Sequence, residues 1–139
     1  MKHLLSLLRA MHLFAHSAHN LCSGPTFHED HAFFGGLYEQ FSDDYDDLAE
    51  RLIGMFGTDH MDLNEILASA QKLLEGCPSN KVTDNKIFYA HQLKYEEALQ
   101  KEVEHICQIK GVSQGMVQLL GDMANKSEMR IYKIKQRLE

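Results

Sequence analysis

Two histidines and two carboxylates in the first fifty residues have the residue types and the spacing of a metal site. His19 and His31 stand on either side of a glycine-proline break, and Asp46 and Glu50 follow on the next segment. Neutral imidazole and carboxylate are ligands that suit first-row cations such as iron, zinc and manganese. The pattern therefore predicts a site for one or two divalent cations that is built from these four side chains.

The segment after the break is predicted to be one helix, and this placement restricts how the four residues can meet. Apolar residues recur in it at helical spacing, and at roughly 100° per residue His31, Asp46 and Glu50 share a face turned away from them. The apolar stripe consists of Phe34, Leu37, Phe41, Tyr45, Leu48 and Leu52. His31 and Asp46 are nevertheless separated by about 22 Å along the axis, so one copy of the helix cannot bring them to one ion.

A second copy of the chain removes this separation. If two copies of the helix pack antiparallel about a two-fold axis near residues 38 and 39, His31 of each copy meets the carboxylates of the other. The pair Gly35-Gly36 lies beside that axis and allows close approach. His19, at the end of the preceding helix, is expected to lean over the turn toward His31. The spacing is therefore compatible with two equivalent sites across a dimer interface. The alternative from the residues alone is that Asp46 and Glu50 belong to a solvated helix face and that the histidines are not ligands.

The composition is typical of a helical globular domain. The chain has 139 residues, of which 44% are apolar and 24% are charged, and only two are proline. This length suits a single domain over residues 1–139. Leu, Glu, Gln, Met, Lys and Ala are plentiful while Val and Thr are scarce, which favours helix over sheet. The fold class is therefore predicted to be all-α.

Charge and cysteine usage restrict the partners and the compartment. The net charge of −6 and the lack of a basic tail predict weak DNA binding or none. Cys22, Cys77 and Cys107 have no CxxC spacing and are odd in number, which argues against a disulfide framework and favours a reducing, cytoplasmic location. No segment approaches 18 apolar residues, and Arg9 and His12 interrupt the opening apolar run. We therefore expect an amphipathic first helix and no membrane span.

We predict four long helices and one short helix in the middle connection, which is the pattern of a four-helix bundle. Glycines at 24, 57, 76 and 111 mark the ends of the first four segments. Thr26 with Glu29 is interpreted as a capping box, Thr83 or Asp84 as the next N-cap, and Ser113 as the last. The predicted segments are residues 2–22, 26–56, 62–76, 83 or 84 to 110, and 113 to near the C-terminus.

The central motif resembles that of the Dps family, the DNA-protection-during-starvation branch of the ferritin-like proteins. The family pattern has a histidine, Gly five residues on, Phe eight on and a second histidine twelve on; an Asp follows fifteen residues later, then a Glu four later within Ala-Glu-Arg. All of these spacings agree with the present chain, and the similarity extends from the first helix to the last. The matching residues are His19, Gly24, Phe27, His31, Asp46 and Ala49-Glu50-Arg51.

The resemblance implies a ferritin-like subunit that forms two-fold dimers and a hollow dodecamer. It implies ferroxidase centres at the two-fold interfaces, with His19 and His31 from one subunit and Asp46 and Glu50 from the other. Such proteins bind Fe²⁺, oxidise it with hydrogen peroxide or O₂, and store Fe³⁺, which protects against oxidative damage. Zn²⁺ or Mn²⁺ could use the same ligands.

Several positions depart from the family pattern. Asn20 stands where the family has Trp, and Gly35 stands where it often has Asp, so we expect weaker iron binding or one well-occupied ion per half-site. The basic N-terminal tail is missing, and Asp122 is the one acid in the segment GVSQGMVQLLGD, where the family has an acidic iron-entry pore. The alternative is therefore a ferritin-like shell with a degenerate metal site, which acts as a scaffold or as a module that binds DNA or another partner.

Other candidate ligands received a different interpretation. Glu102 and His105 have the E-x-x-H spacing of di-iron sites inside one bundle, but such a site needs a second E-x-x-H, which is absent. His16 is either an outer neighbour of the site or, more often for such a residue, not a ligand. His28 and Glu29 are assigned to helix capping, and Met116, Met123 and Met129 to core packing.

Overall fold

The computed structural model describes all 139 residues and is entirely helical, which confirms the predicted ferritin-like four-helix bundle with an extra helix in the middle connection. A single 3-10 turn at Thr58–His60 follows the second helix. The five α-helices are α1 (Lys2–Leu21), α2 (Phe27–Phe56), α3 (Leu63–Leu74), α4 (Lys86–Cys107) and α5 (Gln114–Leu138).

The helices form because each has an apolar face that the others cover. The first helix is amphipathic, as predicted, and its apolar face belongs to the bundle core. Its fully buried residues include Leu4, Leu5, Leu8, Met11, Ala15 and Ala18. The stripe predicted on α2 is buried along its whole length. Helix α1 packs mainly on α2 and α3, and α4 packs on α5. None of the helices combines the length and the apolar character that crossing a membrane requires.

The observed helix ends confirm some of the predicted caps and show that others are wrong. Gly57 and Gly76 adopt φ values of 78°, which favour glycine, just after α2 and α3. The Ser113 hydroxyl accepts from a backbone N–H of α5, as predicted. Thr26 is the N-cap residue of α2, as predicted, but the capping box is wrong, because the Thr26 hydroxyl donates to the side chain of Asp30 and not to a cap of the helix.

The start of α4 was also placed too early. The helix begins at Lys86 after Asn85, and neither Thr83 nor Asp84 is its N-cap. The assignment of Met129 to the core is wrong as well, since its side chain is 55% exposed, whereas Met116 and Met123 are fully buried.

An ion pair occupies the centre of the bundle. The guanidinium of Arg130 donates to both carboxylate oxygens of Glu96 at 2.8 and 2.9 Å, and Ser127 and Gln92 donate to the same carboxylate. Glu96 is fully buried, so the position inside the bundle is filled by a satisfied ion pair. His105 lies on the surface of α4, and this agrees with the lack of an E-x-x-H site inside one subunit.

Candidate metal centre

His19 and His31 lie against each other at the turn between α1 and α2. Their ring centres are 3.7 Å apart and their planes differ by 21°, so the imidazoles are stacked. The Nδ1–H of His19 donates to the main-chain carbonyl of His31 at 2.7 Å, and the Nδ1–H of His31 donates to the carbonyl of His19 at 2.8 Å. The turn therefore joins these two side chains into one pair, which we call the histidine pair.

The reciprocal hydrogen bonds determine which nitrogen of each ring is free. A carbonyl oxygen can only accept, so Nδ1 carries a proton in both rings, and in the neutral imidazole Nε2 then keeps its lone pair. Metal-binding histidines commonly have this arrangement, with one ring nitrogen donating to a carbonyl and the other available to the ion. His31 also satisfies a carbonyl in the last turn of α1, which has no partner within its own helix.

Gly35 leaves the space that the ring of His19 occupies. A Cβ at this position would lie 2.9 Å from Nδ1 and 3.1 Å from Cε1 of His19, which is closer than ordinary contact. A side chain at position 35 would therefore push the ring away from its hydrogen bond to His31. A Cβ at the neighbouring Gly36 would meet nothing within 4 Å. The glycine is thus a requirement of the observed ring position.

Asp30 anchors the start of α2 beside His31, and the sequence analysis did not single it out. Its carboxylate is fully buried and links α2 to α4 and α5. Burial alone would raise the pKa of Asp30, but its hydrogen bonds lower it to about 2. Nothing in the sequence distinguishes Asp30 from the neighbouring His28 and Glu29, which are both exposed. The donors to Asp30 are Thr26, Asn85, Tyr89 and Arg137.

Asp46 and Glu50 are exposed on α2, one turn apart. Because α2 is continuous from Phe27 to Phe56, Asp46 stays about 22 Å from His31 along the axis. Within one chain no group of three or more His, Cys, Asp or Glu side chains is arranged to hold a metal ion. One chain thus brings the two histidines together and leaves the two carboxylates apart from them. The role of all four as metal ligands stays a prediction.

An aromatic ring lies against each histidine of the pair. The ring of Tyr38 meets His19 edge-on at 5.3 Å, and Phe27 stacks on His31 at 4.9 Å. Asn20, which replaces the tryptophan of the family pattern, is exposed. Cys22 is buried, and burial together with the nearby carboxylate of Asp30 raises its pKa to about 11. Its thiol is therefore neutral near pH 7, which fits a small buried apolar residue.

Comparisons with known proteins agree with the fold. The chain superposes on the crystal structure of Dps92 from Deinococcus radiodurans with a TM-score of 0.85, and the match covers 99% of this chain and 82% of that one. The sequences are 20% identical over the match, so the comparison shows that the chain has the fold of a Dps protein. No protein-family model matches the sequence, and no curated protein matches it significantly.

Proposed function

We propose that this protein is a Dps-like mini-ferritin, which oxidises Fe²⁺ at sites shared between two subunits and stores Fe³⁺ in a hollow homo-oligomer, a dodecamer by the family resemblance. The observation that carries the proposal is the histidine pair, because its two Nδ1–H groups donate to carbonyls and both Nε2 atoms are left as donors to a metal. Imidazole and carboxylate are suitable ligands for iron.

The stacking of the pair supports a site for two adjacent ions. Metal ions in two-metal sites lie about 3.5–4 Å apart. The ring centres of His19 and His31 are separated by 3.7 Å. Two stacked rings at this distance are better placed to bind two adjacent ions, one each, than to bind a single ion together. Two Fe²⁺ side by side are the stoichiometry that a two-electron oxidant needs.

The length of α2 supports a partner that supplies the carboxylates. The exposed Asp46 and Glu50 lie on the same helix face as His31 but far along it, and antiparallel packing of two α2 helices would bring them to the histidine pair of the second copy.

The proposed reaction is balanced with two Fe²⁺ ions and one hydrogen peroxide molecule at each site. Each of two Fe²⁺ ions gives up one electron, and hydrogen peroxide takes both electrons and two protons to form two water molecules. The protein supplies four side chains and leaves the remaining coordination positions to water and oxidant. Holding the iron while peroxide is reduced by two electrons avoids the one-electron step that releases hydroxyl radical.

The test is anaerobic loading of metal-free protein with Fe²⁺, followed by a pulse of peroxide or air, with ferric absorbance recorded over time. We expect fast oxidation by the wild type and slow oxidation by H31A, and the iron should co-elute with a large assembly. D46A should have the same effect as H31A without loss of assembly.

Matched control substitutions separate loss of ligands from loss of charge or of an imidazole. D43N removes an exposed carboxylate from the same helix, and H105Q removes an exposed imidazole from α4; both should keep the wild-type rate. Equal rates in the wild type, H31A and D46A would favour the alternative of a ferritin-like shell that works as a scaffold.

A further inference from the structure

Two more histidines lie on α1 beside the histidine pair, and the proposed iron site does not use them. His12 and His16 are one helical turn apart, with ring centres separated by 6.1 Å and planes inclined by 56°. His16 is exposed, and its ring centre is 6.4 Å from that of His19. Three imidazoles therefore follow one another along a single face of α1.

The neighbouring helix α2 fixes the ring of His12. Its Nδ1 lies 3.0 Å from the main-chain carbonyl of Tyr38, so this nitrogen carries a proton, and in the neutral imidazole Nε2 keeps its lone pair. The ring of Tyr38 meets that of His12 edge-on at 5.9 Å. A tautomer set by a carbonyl is the arrangement that protein structures use to orient a metal-binding imidazole.

The separation of the two rings permits a shared ion. A zinc ion lies about 2.0–2.1 Å from an imidazole nitrogen, which places it roughly 3 Å from the ring centre, so rings that share one ion are roughly 5–6 Å apart. The observed 6.1 Å lies just above this range, so sharing an ion requires a small rotation of the His16 ring, which is exposed and packs against the ring of Tyr38 at 4.4 Å. Histidines four residues apart on a helix bind zinc together in metalloproteases.

We propose that His12 and His16 form a second metal site, which takes a divalent cation that prefers imidazole, such as Zn²⁺, Co²⁺ or Cu²⁺, with water in the remaining positions. Imidazole donors bind Zn²⁺ and Cu²⁺ more tightly than Fe²⁺. Both ligands come from α1 of one chain, so the site needs no second copy. It stands independently of the ferroxidase proposal and lies next to it in space.

The test is a calorimetric titration of Zn²⁺ into the metal-free full chain in which the histidine pair has been removed by H19A and H31A. We expect about one bound ion per chain in this background. Adding H12Q or H16Q should weaken the binding at least about tenfold, because one of two ligands is lost. Adding H3Q, which removes an exposed imidazole from the same helix, should leave the affinity unchanged.

A second titration keeps the histidine pair, so that the result does not depend on a single background. In the otherwise wild-type chain, H12Q or H16Q should lower the number of bound Zn²⁺ by about one per chain while helix content by circular dichroism stays the same. Unchanged number and affinity in H12Q and H16Q would overturn the proposal, and so would no binding by a folded H19A/H31A chain. Iron oxidation is measured separately and decides only the proposed function.

Discussion

At the scale of single residues, the position of His19 depends on a residue without a side chain. Gly35 lies one turn after His31 on α2, and the ring of His19 fills the space that a Cβ would need. Glycine in a helix interior costs roughly 0.5–1 kcal/mol of stability relative to alanine. A helix that carries glycine here gives up that stability, and in return the imidazole reaches the carbonyl of His31.

We predict that G35A weakens metal binding while it stabilises the helix. The new methyl group displaces the ring of His19 and breaks its hydrogen bond to His31, and loss of such an orienting contact typically costs about 10- to 100-fold in metal affinity. Affinity for Co²⁺ or Fe²⁺ is measured by anaerobic titration, and stability by urea unfolding.

The matched control for this prediction is G121A on α5. A Cβ at the exposed Gly121 meets nothing within 4 Å, so the substitution should raise stability by a similar amount and leave metal affinity unchanged. Equal affinities for G35A and G121A would show that the ring of His19 is free to move and that its observed hydrogen bond does not matter for binding.

The sequence predicted part of this site. The spacing of His19 and His31 around a turn was sufficient to expect that they meet, because a glycine-proline break reverses the chain. The free nitrogen on each ring was not predictable, since it depends on which carbonyl lies opposite in space. Gly35 was interpreted as a lost ligand, whereas the structure shows that it provides room for His19.

At the scale of helices, Asp30 joins three elements through one buried carboxylate. It holds the start of α2, which carries His31, against Tyr89 of α4 and Arg137 of α5. We predict that D30N lowers the free energy of unfolding by about 3 kcal/mol, because breaking a buried ion pair leaves its partner uncompensated. Urea unfolding followed by circular dichroism measures the change.

The control is D43N, on the same helix. Asp43 is exposed and makes no ion pair in the chain, so its substitution should change stability by less than about 0.5 kcal/mol. If D30N changed the free energy of unfolding as little as D43N does, the hydrogen bonds around Asp30 would be no more favourable than those that water makes to the unfolded chain.

We predict that the free energy of unfolding decreases at acidic pH because Asp30 becomes protonated. Its pKa is about 2 in the folded chain against an ordinary value of 3.8, so the unfolded chain binds the proton more tightly. The contribution is therefore present above about pH 4 and is lost as the pH falls from about 4 to about 2, and it amounts to about 2 kcal/mol. Unfolding midpoints across this range should fall less steeply in D30N than in the wild type.

Helix boundaries were predictable where the signal is local. Ser113 and Gly57 act on their own backbone, and both were placed correctly. The start of α2 at Thr26 was also placed correctly, whereas the start of α4 was not, because its N-cap Asn85 donates its side-chain amide to the distant Asp30 and makes no cap of its own. A residue type alone does not show whether it caps its own helix or contacts another.

At the scale of the whole molecule, the proposal that two copies share each site rests on the length of one helix. Helix α2 separates His31 from Asp46 by about 22 Å, a distance fixed by the helical rise. This separation is predictable from the sequence pattern alone. The buried ion pair of Glu96 and Arg130 was not predictable from the sequence. The two residues are 34 positions apart, and each one alone is typical of a surface charge.

A mixture of two inactive variants tests whether the site is shared. H19A/H31A lacks the histidine pair, and D46A/E50A lacks the carboxylates. In a mixed dimer, one site receives the histidines of the second variant and the carboxylates of the first and is complete, while the other site lacks all four. With random pairing in an equal mixture, half of the dimers are mixed, so about a quarter of wild-type Fe²⁺ oxidation should return.

Subunits are exchanged by unfolding and refolding the two variants together, and oxidation is compared with each variant refolded alone. Mixing H31A with H19A/H31A is the control, because both lack His31 and no pairing can restore a site. A site formed within one chain would give no recovery in either mixture. Recovery in the first mixture alone would require ligands from two copies, because neither variant chain carries all four proposed ligands.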